Sequence, residues 1–175
     1  GIVKQDSSNT PGMLIGMMVV VLFNSFTPIS EKTGDGRPKS GDGSPKTKAD
    51  SLRYELAKFT GTGSKEDTTK VNLLNELAWE LKSTNPDSSI LLSTQALKIA
   101  EKFPWEKGIG KSWHQLGAFN YIKGNYQTSL DLFTKSLQLS QKLDEKKAIA
   151  ATIGNIGGVY WNQGDYPQAL QYYFQ

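Results

Sequence analysis

The sequence predicts an all-α fold made of helical hairpins stacked side by side, and two observations indicate it. Leu116-Gly117 and the pattern that follows it recur 40 positions later, from Ile156-Gly157 onward. Beyond Lys65, apolar residues recur at the spacing that aligns them on one face of a helix. Repetition at a period of about 20 to 50 residues is typical of stacked repeats, in which each unit buries its apolar face against its neighbours.

Six helices in three pairs are predicted after residue 65, and their ends carry recognisable signals. Asn85, followed by a proline, is a typical helix start, and Gly124 and Gly164 are typical helix ends. Asp144 is predicted to cap the fifth helix. The predicted helices cover about 68–82, 85–102, 105–122, 126–143, 146–162 and 165–175.

An uninterrupted apolar run, Met13–Phe23, lies near the N-terminus. It is shorter than the roughly 20 residues needed to span a bilayer and has the length of a signal-peptide core. We therefore interpret residues 1–27 as a signal peptide, with a hydrophobic anchor or a buried segment as alternatives. We expect the protein to be exported or membrane-associated, on the periplasmic side, with a cytoplasmic location as the alternative. Membrane contact is expected only through this segment.

Two further segments precede the repeats. Residues 28–48 are rich in proline and glycine and carry almost no large apolar side chain. Such a segment cannot bury enough surface to offset the entropy lost on ordering, so we predict a disordered linker. Residues 49–60 place Leu52, Leu56 and Phe59 on one helical face, which is typical of a helix that caps the array.

Composition narrows the classes of partner and cofactor. The net charge of +3 comes from the N-terminal part of the chain up to Lys65, with 9 Lys and Arg against 6 Asp and Glu, whereas the part from Glu66 to Gln175 carries 11 of each. The repeats therefore give no electrostatic reason to expect a nucleic-acid partner. Cysteine is absent and His114 is the only histidine, so we expect no metal site, no cofactor and no catalytic residue.

Stacked helices need small residues where they cross closely and large residues in the adjacent gaps. Gly117 and Gly157 meet the first need on the first helix of two successive pairs, and Phe133 and Tyr173 meet the second. The full set assigned to the repeat structure is Ala78, Ala96, Gly117, Ser129, Phe133, Ser136, Gly157, Tyr160, Gly164, Ala169 and Tyr173.

The stretch from Asn155 to Tyr173 closely resembles the tetratricopeptide repeat, with Ile156-Gly157, Tyr160, the turn Gly164-Asp165-Tyr166, Ala169 and Tyr173. The resemblance covers about residues 66–175 and implies a right-handed α-α superhelix of about two and a half hairpins, the last of them cut short. It implies a non-catalytic scaffold that binds a partner peptide or helix in a concave groove. The period of 40 resembles extended bacterial variants of the repeat.

A looser resemblance concerns residues 67–79, which are similar to the start of the sensor arrays of bacterial adenylate cyclases and histidine kinases. It implies an alternative function, the regulatory part of a signalling enzyme whose catalytic domain lies beyond residue 175. Self-association is a third hypothesis, because Tyr172, Tyr173 and Phe174 have no following repeat to cover them.

In the tetratricopeptide family the first helix of each pair lines the concave groove, so residues on its solvent face are the candidate partner-binding residues. Asn75 and Trp79 occupy the positions where the family's best-known peptide clamp has lysine and asparagine, so capture of a chaperone tail is not expected. The candidates by register are Asn75, Trp79, Lys82, Lys111, His114, Ala118, Tyr121, Asn155, Gly158, Trp161 and Asn162.

Gly154 and Gly158 lie on one face of their predicted helix, where each glycine costs about 1 kcal/mol relative to alanine. Two explanations are open. The glycines allow a partner backbone to approach the groove closely, or they make room for a bulky neighbour such as Tyr121.

Overall fold

A computed structural model of the protein describes residues 47–59 and 64–175. The interpretation of residues 1–27, and that of the linker as far as residue 46, lie outside the described residues. Among the described helices, none is both long enough and apolar enough to cross a membrane.

The described residues contain seven helices and no strand, so the predicted all-α helical repeat is confirmed there. The helices are α1 (Lys48–Ala57), α2 (Ser64–Leu81), α3 (Pro86–Lys102), α4 (Glu106–Ile122), α5 (Tyr126–Lys142), α6 (Lys146–Asn162) and α7 (Tyr166–Tyr173).

Three hairpins, α2–α3, α4–α5 and α6–α7, follow one another along the chain. Each helix packs against the next one in sequence, and the only other pairs in contact in the described part are α2 with α4 and α4 with α6. The first helices of the hairpins therefore form a continuous layer. The second helices lie outside this layer and do not contact one another.

Two buried apolar clusters join the helices. One lies between α2 and α3 around Val71 and Ala96. The other joins α5 to α6, where Phe133 packs with Ile156 and Val159. The second cluster connects successive hairpins, so it stabilises the stacking of the array as well as its units.

Small residues lie where helices approach each other closely. Gly117 faces the ring of Phe133, and Gly157, at the equivalent position of the next repeat, faces the ring of Tyr173. The Oγ of Ser129 donates a hydrogen bond of 2.8 Å to the carbonyl oxygen of Gly117, which ties α5 to α4. Of the other residues assigned to the repeat structure, Ala78, Ala96, Ser136 and Ala169 are buried, Tyr160 is half-buried and Gly164 is exposed.

The turns between helices depend on left-handed backbone conformations. Gly124 and Gly164 have φ values of +79° and +80°, which a glycine adopts without strain. The prediction that Asp144 caps α6 is wrong. Asp144 takes the left-handed conformation itself, with φ 51°, and Glu145 precedes α6 without a side-chain capping bond. The sequence has no glycine in this turn, and aspartate tolerates the conformation better than most residues do.

Candidate partner-binding surface

The first-helix surface, formed by α2, α4 and α6, contains two adjoining cavities. The first has a volume of about 350 Å³ and is bordered by Trp79 and Glu80 of α2 and by Lys48 of α1. The second has a volume of about 320 Å³ and extends to the start of α6. Lys111 and His114 of α4 border both cavities, so these two residues lie at their junction.

Asn75 does not lie on the solvent face, and that prediction is wrong. Its side chain is fully buried, and its Nδ2 donates a hydrogen bond of 3.0 Å to the Oγ of Ser112. His114 makes the matching contact in the next hairpin, with the Oγ1 of Thr152 at 3.0 Å. Ser112 and Thr152 are separated by one period of the repeat, so the two contacts are equivalent in successive hairpins.

The ring of His114 is held between two neutral side chains of α6. Thr152 Oγ1 donates to the carbonyl oxygen of Ala148 at 2.7 Å, so it accepts the hydrogen bond from His114 Nδ1. His114 Nε2 then accepts from Asn155 Nδ2 at 3.2 Å. This arrangement fits the neutral imidazole, and burial lowers the pKa of His114 from its ordinary value of 6.5.

The stability of the protein should therefore depend on pH through His114. The unfolded chain binds a proton near pH 6.5, whereas the folded chain binds it only at a lower pH, so the free energy of unfolding falls as the pH falls from 6.5 towards the folded pKa. Urea unfolding at pH 7.5 and pH 5 should show a smaller loss for His114→Gln than for the unmodified protein. An equal loss in both proteins would contradict this assignment.

Four other candidate residues, Ala118, Tyr121, Gly158 and Asn162, lie on α4 and α6. Asn162 Nδ2 donates to the hydroxyl of Tyr121 and to the carbonyl oxygen of Gly158, the latter at 3.0 Å. Ala118 is half-buried and packs against the cluster around Phe133. These residues shape the first-helix surface, and Asn162 is the exposed one among them.

Trp79 and Trp161 are the exposed tryptophans of the first helices. Their exposed fractions are 41% and 52%. Lys82 Nζ lies 4.4 Å from the ring centroid of Trp79, and Tyr166 contacts Trp161 edge-on with ring centroids 4.9 Å apart. Exposed tryptophans are frequent anchors of protein interfaces.

Gly154 and Gly158 face open space. A Cβ atom added at Gly154 would meet no atom within 4 Å, and one added at Gly158 would meet only the hydroxyl of Tyr173, at 3.8 Å. The explanation that these glycines make room for Tyr121 is therefore wrong. Nothing in the described part of the chain requires the missing side chains.

Several residues of the surface were not among the candidates. Gln115 and Glu76 border the first cavity, and Asn72 and Lys107 border the second. Helical register places Glu76 and Lys107 at exposed positions, but the cavities exist only because neighbouring hairpins are stacked. The described residues contain no group of three or more histidine, aspartate or glutamate side chains arranged to hold a metal ion.

Comparison with known families agrees with this architecture. The family model for the tetratricopeptide repeat matches residues 108–175, which cover most of α4 and all of α5, α6 and α7. Residues 108–175 are therefore similar to tetratricopeptide repeats. Tetratricopeptide repeats generally mediate protein–protein interactions and are typically non-catalytic. No curated protein matches the chain.

Proposed function

We propose that the first-helix surface is a groove that binds an extended segment or a helix of a partner protein. The observation that carries the proposal is the pair of cavities of about 350 and 320 Å³ that meet at Lys111 and His114. A partner that follows them contacts three successive hairpins at once. Because each hairpin is held by its neighbours, the receptor loses little conformational entropy when the partner binds.

Gly154 and Gly158 of α6 support a path for the partner segment beyond the second cavity. Ala151 borders that cavity, and Gly154 and Gly158 continue the same face of the helix at spacings of three and four residues. With no side chain over them, a partner backbone can lie directly against α6. Trp79 and Trp161 then offer apolar contacts near the two ends of this path.

The double variant Gly154→Ala and Gly158→Ala tests the proposal. Each alanine should raise the free energy of unfolding by about 1 kcal/mol, because alanine is the better helix former and meets no close contact. The same methyl groups should weaken binding by about tenfold, a cost of roughly 1.4 kcal/mol, because they fill the space that the partner backbone needs.

The probe is a fluorescently labelled peptide, selected from a phage-displayed library of random dodecapeptides on the immobilised full chain. Fluorescence anisotropy gives its Kd for each variant. The control is Thr134→Ala, which improves helix propensity at an exposed position of α5 outside the first-helix surface. A double variant that is more stable and binds the peptide as tightly as the unmodified chain contradicts the proposed path over α6.

The alternative function, that of a regulatory part of a signalling enzyme, stays a prediction, because it concerns a catalytic domain outside these 175 residues. The exported or membrane-associated location also stays a prediction. Self-association also stays a prediction, and it rests on Tyr173 and on Phe174, which is 85% exposed. Tyr172 contributes less to it, because its ring stacks on that of Tyr160 with centroids 5.6 Å apart.

A further inference from the structure

The geometry points to an acidic side chain within the partner segment, bound by Lys111 where the two cavities meet. This inference rests on the proposed function and specifies the chemistry of the partner. Its basis is the difference between Lys111 and the other lysines of the surface, together with the amide of Gln115.

Among the lysines that border the cavities, Lys111 is the one that forms no ion pair in the described part of the chain. Lys48 pairs with Glu80 at 2.7 Å, and the second cavity's Lys107 pairs with Glu145 at 3.2 Å. Lys111 Nζ instead donates to the neutral Oδ1 of Asn72 at 3.2 Å, and no carboxylate of the described residues lies within 4.0 Å of it.

An ammonium group has three N–H donors, so two remain for a ligand at Lys111. The lysine is exposed and lies at the junction of both cavities. The ion pair of Lys107 with Glu145 is neutral, so Lys111 leaves the second cavity with a net positive charge. In the first cavity, the carboxylate of Glu76 balances the charge of Lys111. A carboxylate is the complementary group, because charge-assisted hydrogen bonds to a carboxylate are stronger than neutral ones.

Gln115 supplies a second donor next to this charge. Its side chain is 7% exposed, and its Oε1 accepts a hydrogen bond of 3.3 Å from Ser93 Oγ. Its Nε2 has no partner among the described residues. The described residues have two enclosed side-chain atoms without a hydrogen-bond partner, Asp67 Oδ2 and Asn75 Oδ1. Gln115 Nε2 is not one of them, so this nitrogen is accessible and opens into the first cavity, which Gln115 borders.

Because this amide nitrogen is accessible from the cavity, a backbone carbonyl of the bound segment can replace water as its hydrogen-bond partner. The position of Lys111 also decides where the acidic group lies in that segment. Because a cavity lies on each side of Lys111, the bound chain continues in both directions, and the carboxylate belongs to an internal aspartate or glutamate. A C-terminal carboxylate would leave one of the two cavities empty.

Peptide selection on the full chain tests this inference. The phage-displayed dodecapeptides described above, which have no free C-terminus, should be enriched in aspartate or glutamate at one position. The same selection on Lys111→Glu should be enriched in lysine or arginine at that position. Lys135→Glu makes the same charge change at an exposed position of α5 and should reproduce the original selection.

Synthetic peptides with an amidated C-terminus make the test quantitative. Replacing the selected glutamate by glutamine, or Lys111 by alanine, should each raise Kd about tenfold, and the two changes together should cost little more than either alone. The affinity for the acidic peptide should also fall as the salt concentration rises.

Selected peptides without an acidic preference would overturn the inference and leave the proposed function standing. So would additive effects of the two changes, or a clear preference for a free C-terminal carboxylate over an internal acid. A library that yields no binder at all would overturn the proposed function together with the inference.

Discussion

Phe133→Ala is expected to lower the free energy of unfolding by about 3–5 kcal/mol, the usual cost of removing a fully buried phenylalanine. The ring fills the contact between successive hairpins, where it packs with Ile156 and Val159. The ring of His114 also meets it edge-on, with centroids 5.4 Å apart. Its loss leaves a cavity that the backbone of two hairpins has to close. Urea unfolding followed by circular dichroism measures the effect.

Phe174→Ala is the matched control, because the side chain is 85% exposed and its loss should change the free energy of unfolding by less than about 0.5 kcal/mol. The total stability of a domain is only about 5–15 kcal/mol, so Phe133→Ala should leave a marginally folded protein. A loss below about 1 kcal/mol for Phe133→Ala would contradict the packing between α5 and α6.

Gly117→Ala should lower the free energy of unfolding by about 1–3 kcal/mol, although alanine is the better helix former. The added Cβ would lie 2.8 Å from both Cδ1 and Cε1 of Phe133. Phe133 is buried between α4, α5 and α6, so its ring cannot move away. The helices themselves have to separate, and the cost of that separation exceeds the gain in helix propensity.

Gly157→Ala provides the comparison at the equivalent position of the next repeat. Its Cβ would lie 2.6 Å from Cε1 of Tyr173, which is an even closer approach. Tyr173, however, is 49% exposed and its ring can swing into solvent. The change in the free energy of unfolding should therefore stay within about 1 kcal/mol of zero. Equal losses for the two variants would contradict the argument that the mobility of the facing ring determines the cost.

The fold was predictable because its signals are local. Asn85 caps α3 by accepting a hydrogen bond of 3.0 Å from the backbone N–H of Ser88, and Gly124 and Gly164 close helices in the left-handed conformation. Each of these needs only a few adjacent residues. Asp144 was misassigned because its turn uses the same conformation without a glycine, and an aspartate before a helix has the same pattern as a cap.

The candidate site was only partly predictable. Helical register was enough to place Trp79, Lys111 and Trp161 at exposed positions. It failed for Asn75, whose burial depends on Ser112 of the neighbouring first helix. It also missed Gln115, because the cavity that this amide borders forms between hairpins. Contacts between units are a property of the stacking, and the period of the repeat indicates them only after their partners are known.

The central claim is that the first helices form the partner-binding groove, and the indole N–H signals of the four tryptophans in ¹⁵N NMR spectra test it most directly. The probe is the selected peptide, titrated into the full chain, with each signal assigned from a Trp→Phe variant. The account predicts shifts for Trp79 and Trp105, which border the two cavities, and for Trp161, which is exposed near the end of the proposed path. It predicts no shift for Trp113, which borders neither cavity and is not exposed. A peptide that binds while the signals of Trp79 and Trp161 stay in place would contradict it.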